Sequence, residues 1–133
     1  MRILIVEDDF ISRRLLCRYL QNHGECDVAV NGNEAVGAFK QTLLAGDRYD
    51  LVCLDIMMPG MDGQETLKRI RALEQEHGVG DAERARVIMT TALEDHDNVM
   101  AAFSNACDGY VVKPIEKRKF LATLQEIGLP VTV

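Results

Sequence analysis

Four apolar runs in this chain end in residues equipped for chemistry. "RILIV" leads into Glu7, Asp8 and Asp9, "LVCL" into Asp55, "VIM" into Thr90 and Thr91, and "GYVV" into Lys113 and Pro114. Gathered in one place, these would be acids, a hydroxyl and one lysine. Two carboxylates ~4 Å apart repel by about 4 kcal/mol at an effective dielectric near ~20. Three or four acids therefore share a site only with shifted pKa values or with a cation among them. Oxygen-only ligands suit Mg²⁺, which keeps several waters and bridges carboxylates to phosphate. No histidine or cysteine falls at these run ends, which argues against a transition metal. A carboxylate is also a nucleophile, able to form an acyl-phosphate. The charge of the new phosphoryl group must then be met from several sides. Mg²⁺, Lys113, the Thr91 hydroxyl and nearby backbone N–H groups are the means for that.

Taken singly, each residue has a plainer explanation. An acid after a strand is usually a helix cap or turn residue, and Asp9 is read that way. Thr90 or Thr91 alone would be an ordinary strand-end hydroxyl, and Lys113 alone a surface lysine. The chemistry depends on whether the fold brings the four run ends together.

The elements that must do so are visible in the periodicity. Strands are predicted at Arg2–Val6, Cys26–Val30, Leu51–Leu54, Val87–Thr90 and Tyr110–Val112. All but the second are nearly continuous in apolar residues, as in parallel strands covered on both faces. Asp27 inside the second marks it as an edge strand. Helices fill the gaps. The first carries Ile11, Leu15, Leu16 and Leu20; the second, capped by Asn33, carries Ala35, Val36, Phe39, Leu43 and Leu44. The third carries Thr66, Leu67, Ile70 and Leu73, the fourth Val99, Met100 and Phe103, and the fifth Phe120, Leu121, Leu124 and Ile127. "EHGVGDAERAR" (Glu76 to Arg86) reads as a loop or an extended helix end. Strands alternating with helices give an α/β fold, a (βα)₅ doubly wound parallel sheet. Right-handed crossovers place its crevice at the carboxyl ends of the strands, where all four run ends lie.

Bulk properties narrow the function. The 133 residues, 47% hydrophobic and 27% charged, fit one globular domain. No apolar run approaches the ~18 residues of a membrane span, and "MRILIVED" turns acidic too soon for a signal peptide, so a cytoplasmic protein without membrane contact is expected. A net charge of −6 argues against direct nucleic-acid binding, and "EKRK" (Glu116 to Lys119) reads as a solvated helix start. Cys17, Cys26, Cys53 and Cys107 form no C-x-x-C and no metal spacing, so neither disulfides nor zinc are expected.

The stretches "ILIVEDD", "LDIMMPGMDG", "VIMTTA" and "GYVVKP", in that order, resemble the receiver domain of two-component response regulators over essentially the whole chain. The resemblance implies a flavodoxin-like five-stranded parallel sheet of order 2-1-3-4-5. It implies Asp55 as phosphoacceptor, Asp8 as a direct Mg²⁺ ligand, Glu7 as a ligand through water and Met57 as a backbone-carbonyl ligand, with Mn²⁺ a substitute metal. Thr91 matches the switch hydroxyl and Tyr110 the switch aromatic, coupled to the surface of the fourth helix, fifth strand and fifth helix. Lys113 matches the family's lysine, whose peptide to Pro114 is usually cis. The implied donor is a phosphohistidine on a sensor histidine kinase or histidine phosphotransfer protein, and the output a contact with a downstream protein target, as monomer or phosphorylation-dependent dimer. Such a protein is no general enzyme; it catalyses only its own phosphorylation and dephosphorylation. Met57 and Leu93, both apolar, stand at the positions that tune the phosphoryl lifetime and imply slow self-dephosphorylation. Two departures stand out. Ala106-Cys107 occupies a place where the family often has Gly-Ala, leaving Asn105 as the candidate helix terminator, and the second helix and the loop before strand four are longer than in minimal receivers.

Residues 1–133 are expected to be a single receiver without an output domain, since Gly128 to Val133 is too short for one. A stand-alone chemotaxis-type or phosphorelay receiver is favoured by Met1 immediately before strand one, against a receiver fragment of a hybrid kinase or multidomain regulator. An aspartate-based phosphatase would want D-x-D, which Asp55-Ile56-Met57 does not supply, and a flavodoxin-like cofactor binder would want a phosphate-cradling loop where "EDDF" is anionic.

Overall fold

The runs of Ile, Leu and Val form five short parallel strands in a computed structural model that describes residues 1–92 and 106–133. They are β1 (Arg2–Val6), β2 (Glu25–Ala29), β3 (Leu51–Asp55), β4 (Arg86–Thr91) and β5 (Gly109–Val112). The sheet order is β2-β1-β3-β4-β5 with every pair parallel, as expected. β3 is buried at all five positions, whereas β2 is exposed at most of its length and forms an edge. β2 lies one residue earlier than predicted because Val30 leaves the ladder. Its N–H donates to Glu34 Oε1 at 3.1 Å, inside the cap of the next helix.

That cap corrects an expectation. Helix α2 (Gly32–Leu44) is capped by Asn31, not Asn33: Asn31 Oδ1 accepts from Glu34 N–H at 2.8 Å, and Asn33 sits in the first turn. The other caps follow the same physics. Asp9 Oδ2 accepts from Ser12 N–H at 2.9 Å and starts α1 (Phe10–Leu20). Asp62 Oδ1 accepts from Glu65 N–H at 3.0 Å and starts α3 (Gly63–Glu76). Gly78, at φ +69°, closes α3, so the polar stretch from Glu76 is a helix end followed by a loop. The "EKRK" run opens α4 (Lys117–Glu126), with an exposed Lys119–Glu116 pair at 3.0 Å. The helix expected at Val99, Met100 and Phe103 lies outside the described residues, as do Leu93 and Asn105. Among the described residues no helix is long and apolar enough to cross a membrane.

Side chains alternate along each strand into two cores. Leu4, Val6, Val52, Leu54, Val87 and Met89 pack against Ala35 and Phe39 of α2 and Leu67 and Ile70 of α3. Ile3, Ile5, Cys53, Ile88 and Val111 pack against Leu16 and Leu20 of α1 and Phe120 and Leu124 of α4. Each fully buried Leu, Ile or Phe contributes ~1.5–3 kcal/mol. That holds the sheet still enough for its edge to be a site.

A polar network anchors the start of β5. Asp108 Oδ2 accepts from Val87 N–H at 2.8 Å, and Arg71 Nη2 lies 3.3 Å from the same oxygen. Arg71 also donates to the carbonyls of Ala106 (3.0 Å) and Ala85 (2.9 Å) and to Glu74 Oε1 (2.7 Å). Buried Glu74 takes the Ala85 N–H on its other oxygen at 2.7 Å. Removing one partner of a buried ion pair leaves the other charge uncompensated and costs about 3–5 kcal/mol. Arg71→Ala should therefore lower the unfolding free energy by about that amount in a urea titration, far more than Arg69→Ala, whose pair with Glu65 is exposed.

Candidate functional site

Each functional strand end is carried one step past its ladder by a backbone hydrogen bond. Glu7 N–H donates to Ala29 O (3.1 Å), Ile56 N–H to Thr90 O (3.1 Å) and Lys113 N–H to Thr91 O (2.8 Å). The chain turns away after each, leaving the side chains at the carboxyl edge of the sheet. Glu7, Asp8 and Asp55 meet there, with one carboxylate oxygen from each lying within 4.8 Å of the others. Glu7 and Asp55 are buried and Asp8 is exposed. Lys113 Nζ stands 2.9 Å from Glu7 Oε2 and 3.4 Å from Asp55 Oδ2, bridging the two buried acids. The Lys113–Pro114 peptide is cis.

The electrostatics follow from that arrangement. Burial pushes the Asp55 carboxyl up to about 7; the neighbouring Glu7 adds to the shift and Lys113 opposes it. Burial alone would lower Lys113, but its hydrogen bond to Glu7 and the charges of Asp55 and Glu7 outweigh that and raise it, so it stays an ammonium. One lysine against three carboxylates leaves the cluster short of positive charge. The donor set is all carboxylate oxygen, hard and partly open to water through Asp8, which fits a divalent cation of the Mg²⁺ type.

The turn after β3 closes the site tightly. A Cβ on Gly63 would fall 2.5 Å from Asp55 O and 2.7 Å from Ile56 Cα, so α3 can begin against the strand end only with glycine there. The two methionines diverge. Met58 is buried in the core, while Met57 is 63% exposed and its N–H lies 3.4 Å from Asp55 Oδ1. Thr91 is buried at the end of β4, its hydroxyl donating to Ala92 O at 3.1 Å rather than reaching toward Asp55. Tyr110, on β5, is 38% exposed. The four cysteines are free thiols, and burial pushes Cys26 up to about 11 and Cys53 and Cys107 upward as well.

Two supporting contacts escaped the sequence. Tyr19 Oη donates to Ile115 O at 2.9 Å, fastening the chain after Lys113 to α1. Arg13 Nη1 donates to Glu7 O at 2.9 Å, fixing the turn that holds the acids. Neither has a local sequence signal, because each joins an ordinary helix residue to a backbone carbonyl.

A doubly wound parallel sheet with acids and a lysine converging on its carboxyl edge defines an α/β domain whose candidate site lies at that edge. The match to known proteins makes the assignment specific. Residues 3–125 match the response regulator receiver domain, and the chain belongs to that family. It is 35% identical over 128 residues to the regulatory protein VanRB of Enterococcus faecalis, covering 96% of this chain and 52% of that protein. It is 30% identical over 128 residues to hybrid signal transduction histidine kinase L of Dictyostelium discoideum, covering 96% of this chain and 7% of the kinase. The chain thus spans about half, or much less, of these curated relatives. The fold is shared with the chemotaxis protein CheY4 of Vibrio cholerae, with a TM-score of 0.74 at 24% identity, covering 95% of this chain and 97% of that one.

The raised Asp55 sets a pH dependence. An acid held above its unfolded value binds its proton more tightly in the folded state, so its contribution to stability falls as pH rises from 3.8 to about 7. Asp55→Asn removes this group. Without added metal, the melting temperatures of wild type and Asp55→Asn should lie closest near pH ~4, separate steadily as pH rises and differ most by pH ~8, with Asn the higher. A gap independent of pH would contradict the raised value.

Proposed function

We propose that this domain accepts a phosphoryl group on Asp55 and signals through the surface next to it. The observation that carries this reading is the Asp55 carboxylate, buried at the end of β3, with Lys113 Nζ 3.4 Å away and the carboxylates of Glu7 and Asp8 beside it. An Asp55 oxygen attacks the phosphorus of a phosphohistidine on a histidine kinase or phosphotransfer protein. The O–P bond forms, the N–P bond breaks, and its electron pair returns to the imidazole. Hydrolysis reverses the logic: water attacks phosphorus, the O–P bond breaks, and phosphate leaves the free carboxylate.

The residues that would hold Mg²⁺ are Asp8 and Asp55 directly, Met57 through its backbone carbonyl and Glu7 through water. Bound there, Mg²⁺ supplies the positive charge the acid cluster lacks, and Mn²⁺ would substitute. Lys113 is already oriented by Glu7 at 2.9 Å, so its ammonium follows the charge from Asp55 onto the phosphoryl oxygens with little rearrangement. The Thr91 hydroxyl exchanges the Ala92 carbonyl for a phosphoryl oxygen, and Tyr110 turns inward to fill the space vacated. The population shifts toward a state whose β5 and α4 face binds a downstream protein. The relatives favour a second setting, in which the same domain is the receiver of a longer regulator or hybrid kinase; the transfer chemistry is identical.

Incubation with acetyl phosphate and Mg²⁺ should add one labile phosphoryl group by mass spectrometry, and Asp55→Ala should add none. Failure of wild type with every donor tried would contradict the function. Once formed, the acyl-phosphate should persist for minutes or longer, because exposed, apolar Met57 cannot orient an attacking water. Met57→Asn should shorten the lifetime several-fold, and a wild-type half-life of seconds would contradict this. Beryllofluoride with Mg²⁺ should move the backbone amide resonances of Thr91 and Tyr110; unmoved resonances would rule out the switch.

A further inference from the structure

Thr90 stands one residue before the switch hydroxyl, and strand alternation turns its side chain to the opposite face of the sheet from Thr91. In register it pairs with Asp55 on β3 and Val111 on β5. Its side chain therefore shares a face with the Asp55 carboxylate, and neighbouring strands lie only ~4.8 Å apart. Two residues beyond Val111, on the same face, comes Lys113. Thr90 is 1% exposed, and its hydroxyl has no hydrogen-bond partner. The other buried side-chain oxygen without a hydrogen bond, among the described residues, is Glu7 Oε2, which has the ion pair with Lys113 instead.

An orphaned buried hydroxyl is destabilising, and a functional reason is expected wherever one is retained. Valine has the same shape and would remove the penalty, and the preceding residues of β4, Val87, Ile88 and Met89, are all apolar. The Thr90 side chain shares a sheet face with the Asp55 carboxylate, which has few donors of its own. Asp55 has Lys113 at 3.4 Å and the long Met57 N–H contact at 3.4 Å. When Lys113 follows the incoming phosphoryl group, the Asp55 oxygen it leaves needs another donor. Threonine exchanges its methyl and hydroxyl positions by one step about χ1.

We propose that Thr90 is a positioning residue for phosphoryl transfer, its hydroxyl turning to donate to the Asp55 oxygen that Lys113 vacates. This rests on the phosphoacceptor reading of Asp55 and extends it to a second threonine. Thr91 serves the phosphoryl oxygens from one face, and Thr90 serves the aspartyl oxygen from the other. The unphosphorylated protein keeps an unsatisfied group so that the transition state finds a satisfied one.

The test compares wild type, Thr90→Val and Thr90→Ser. Without metal, Thr90→Val should melt at a higher temperature than wild type, since the orphan is gone. With acetyl phosphate and Mg²⁺, it should phosphorylate about tenfold more slowly, on the order of one lost hydrogen bond. Thr90→Ser, which keeps the hydroxyl and loses the methyl, should recover most of the rate despite looser packing. Thr90→Val reacting at the wild-type rate would overturn the proposal while leaving Asp55 as phosphoacceptor. Thr90→Ser as slow as Thr90→Val would assign the effect to packing and overturn it equally. A wild type inert to every donor would overturn both readings together.

Discussion

The Lys113 ammonium, set between the buried carboxylates of Glu7 and Asp55, is the contact on which the rest of the molecule depends. Two acids at the end of adjacent strands repel strongly once water is removed, and the sheet buries both. One lysine offsets part of that repulsion but not all, since Asp8 adds a third carboxylate. The consequence is a site in standing electrostatic deficit. Its Asp55 carboxyl is held above its ordinary pKa by burial and by Glu7. Under the proposed function, that deficit makes the cluster responsive to a cation and to a phosphoryl group together.

The fold is organised to hold this deficit in place. β3 is buried along its whole length between two helical layers, so Asp55 cannot relieve the repulsion by moving away. β5 is only four residues long and is anchored at both ends by charge. At its start, Asp108 is tied to β4 and to Arg71, which Glu74 in turn holds. At its far end, Lys113 is tied to the acids. Tyr110 lies between these two anchors. Under the proposed function, a change of charge at Asp55 has a short path through Lys113 to the exposed face of β5.

Much of this was legible in the sequence, for reasons that differ between residues. The strand ends could be read because buried parallel strands are continuous apolar runs, and an acid, a threonine or a lysine interrupts them sharply. Asp9 as a cap and the edge position of β2 could be read because both are local. Asn31 and Asn33 could not be told apart, since both precede the same helical pattern, and only the bond to the Glu34 N–H decides between them. Met57 and Met58 look alike in sequence, yet one faces solvent and the other the core. The Arg71–Asp108 pair joins residues 37 apart through a fold that had first to exist. Thr90 reads in the sequence as an ordinary strand-end hydroxyl, because its register with Asp55 exists only in the folded sheet.

The charge deficit at Asp55 can be observed directly. With ¹³C-labelled aspartate, the Asp55 carboxyl carbon can be followed against pH with and without Mg²⁺, Asp55→Asn supplying the assignment. The metal-free midpoint should lie at about 7 and move well down when Mg²⁺ is added. A midpoint in the ordinary aspartate range, indifferent to Mg²⁺, would contradict the charge deficit.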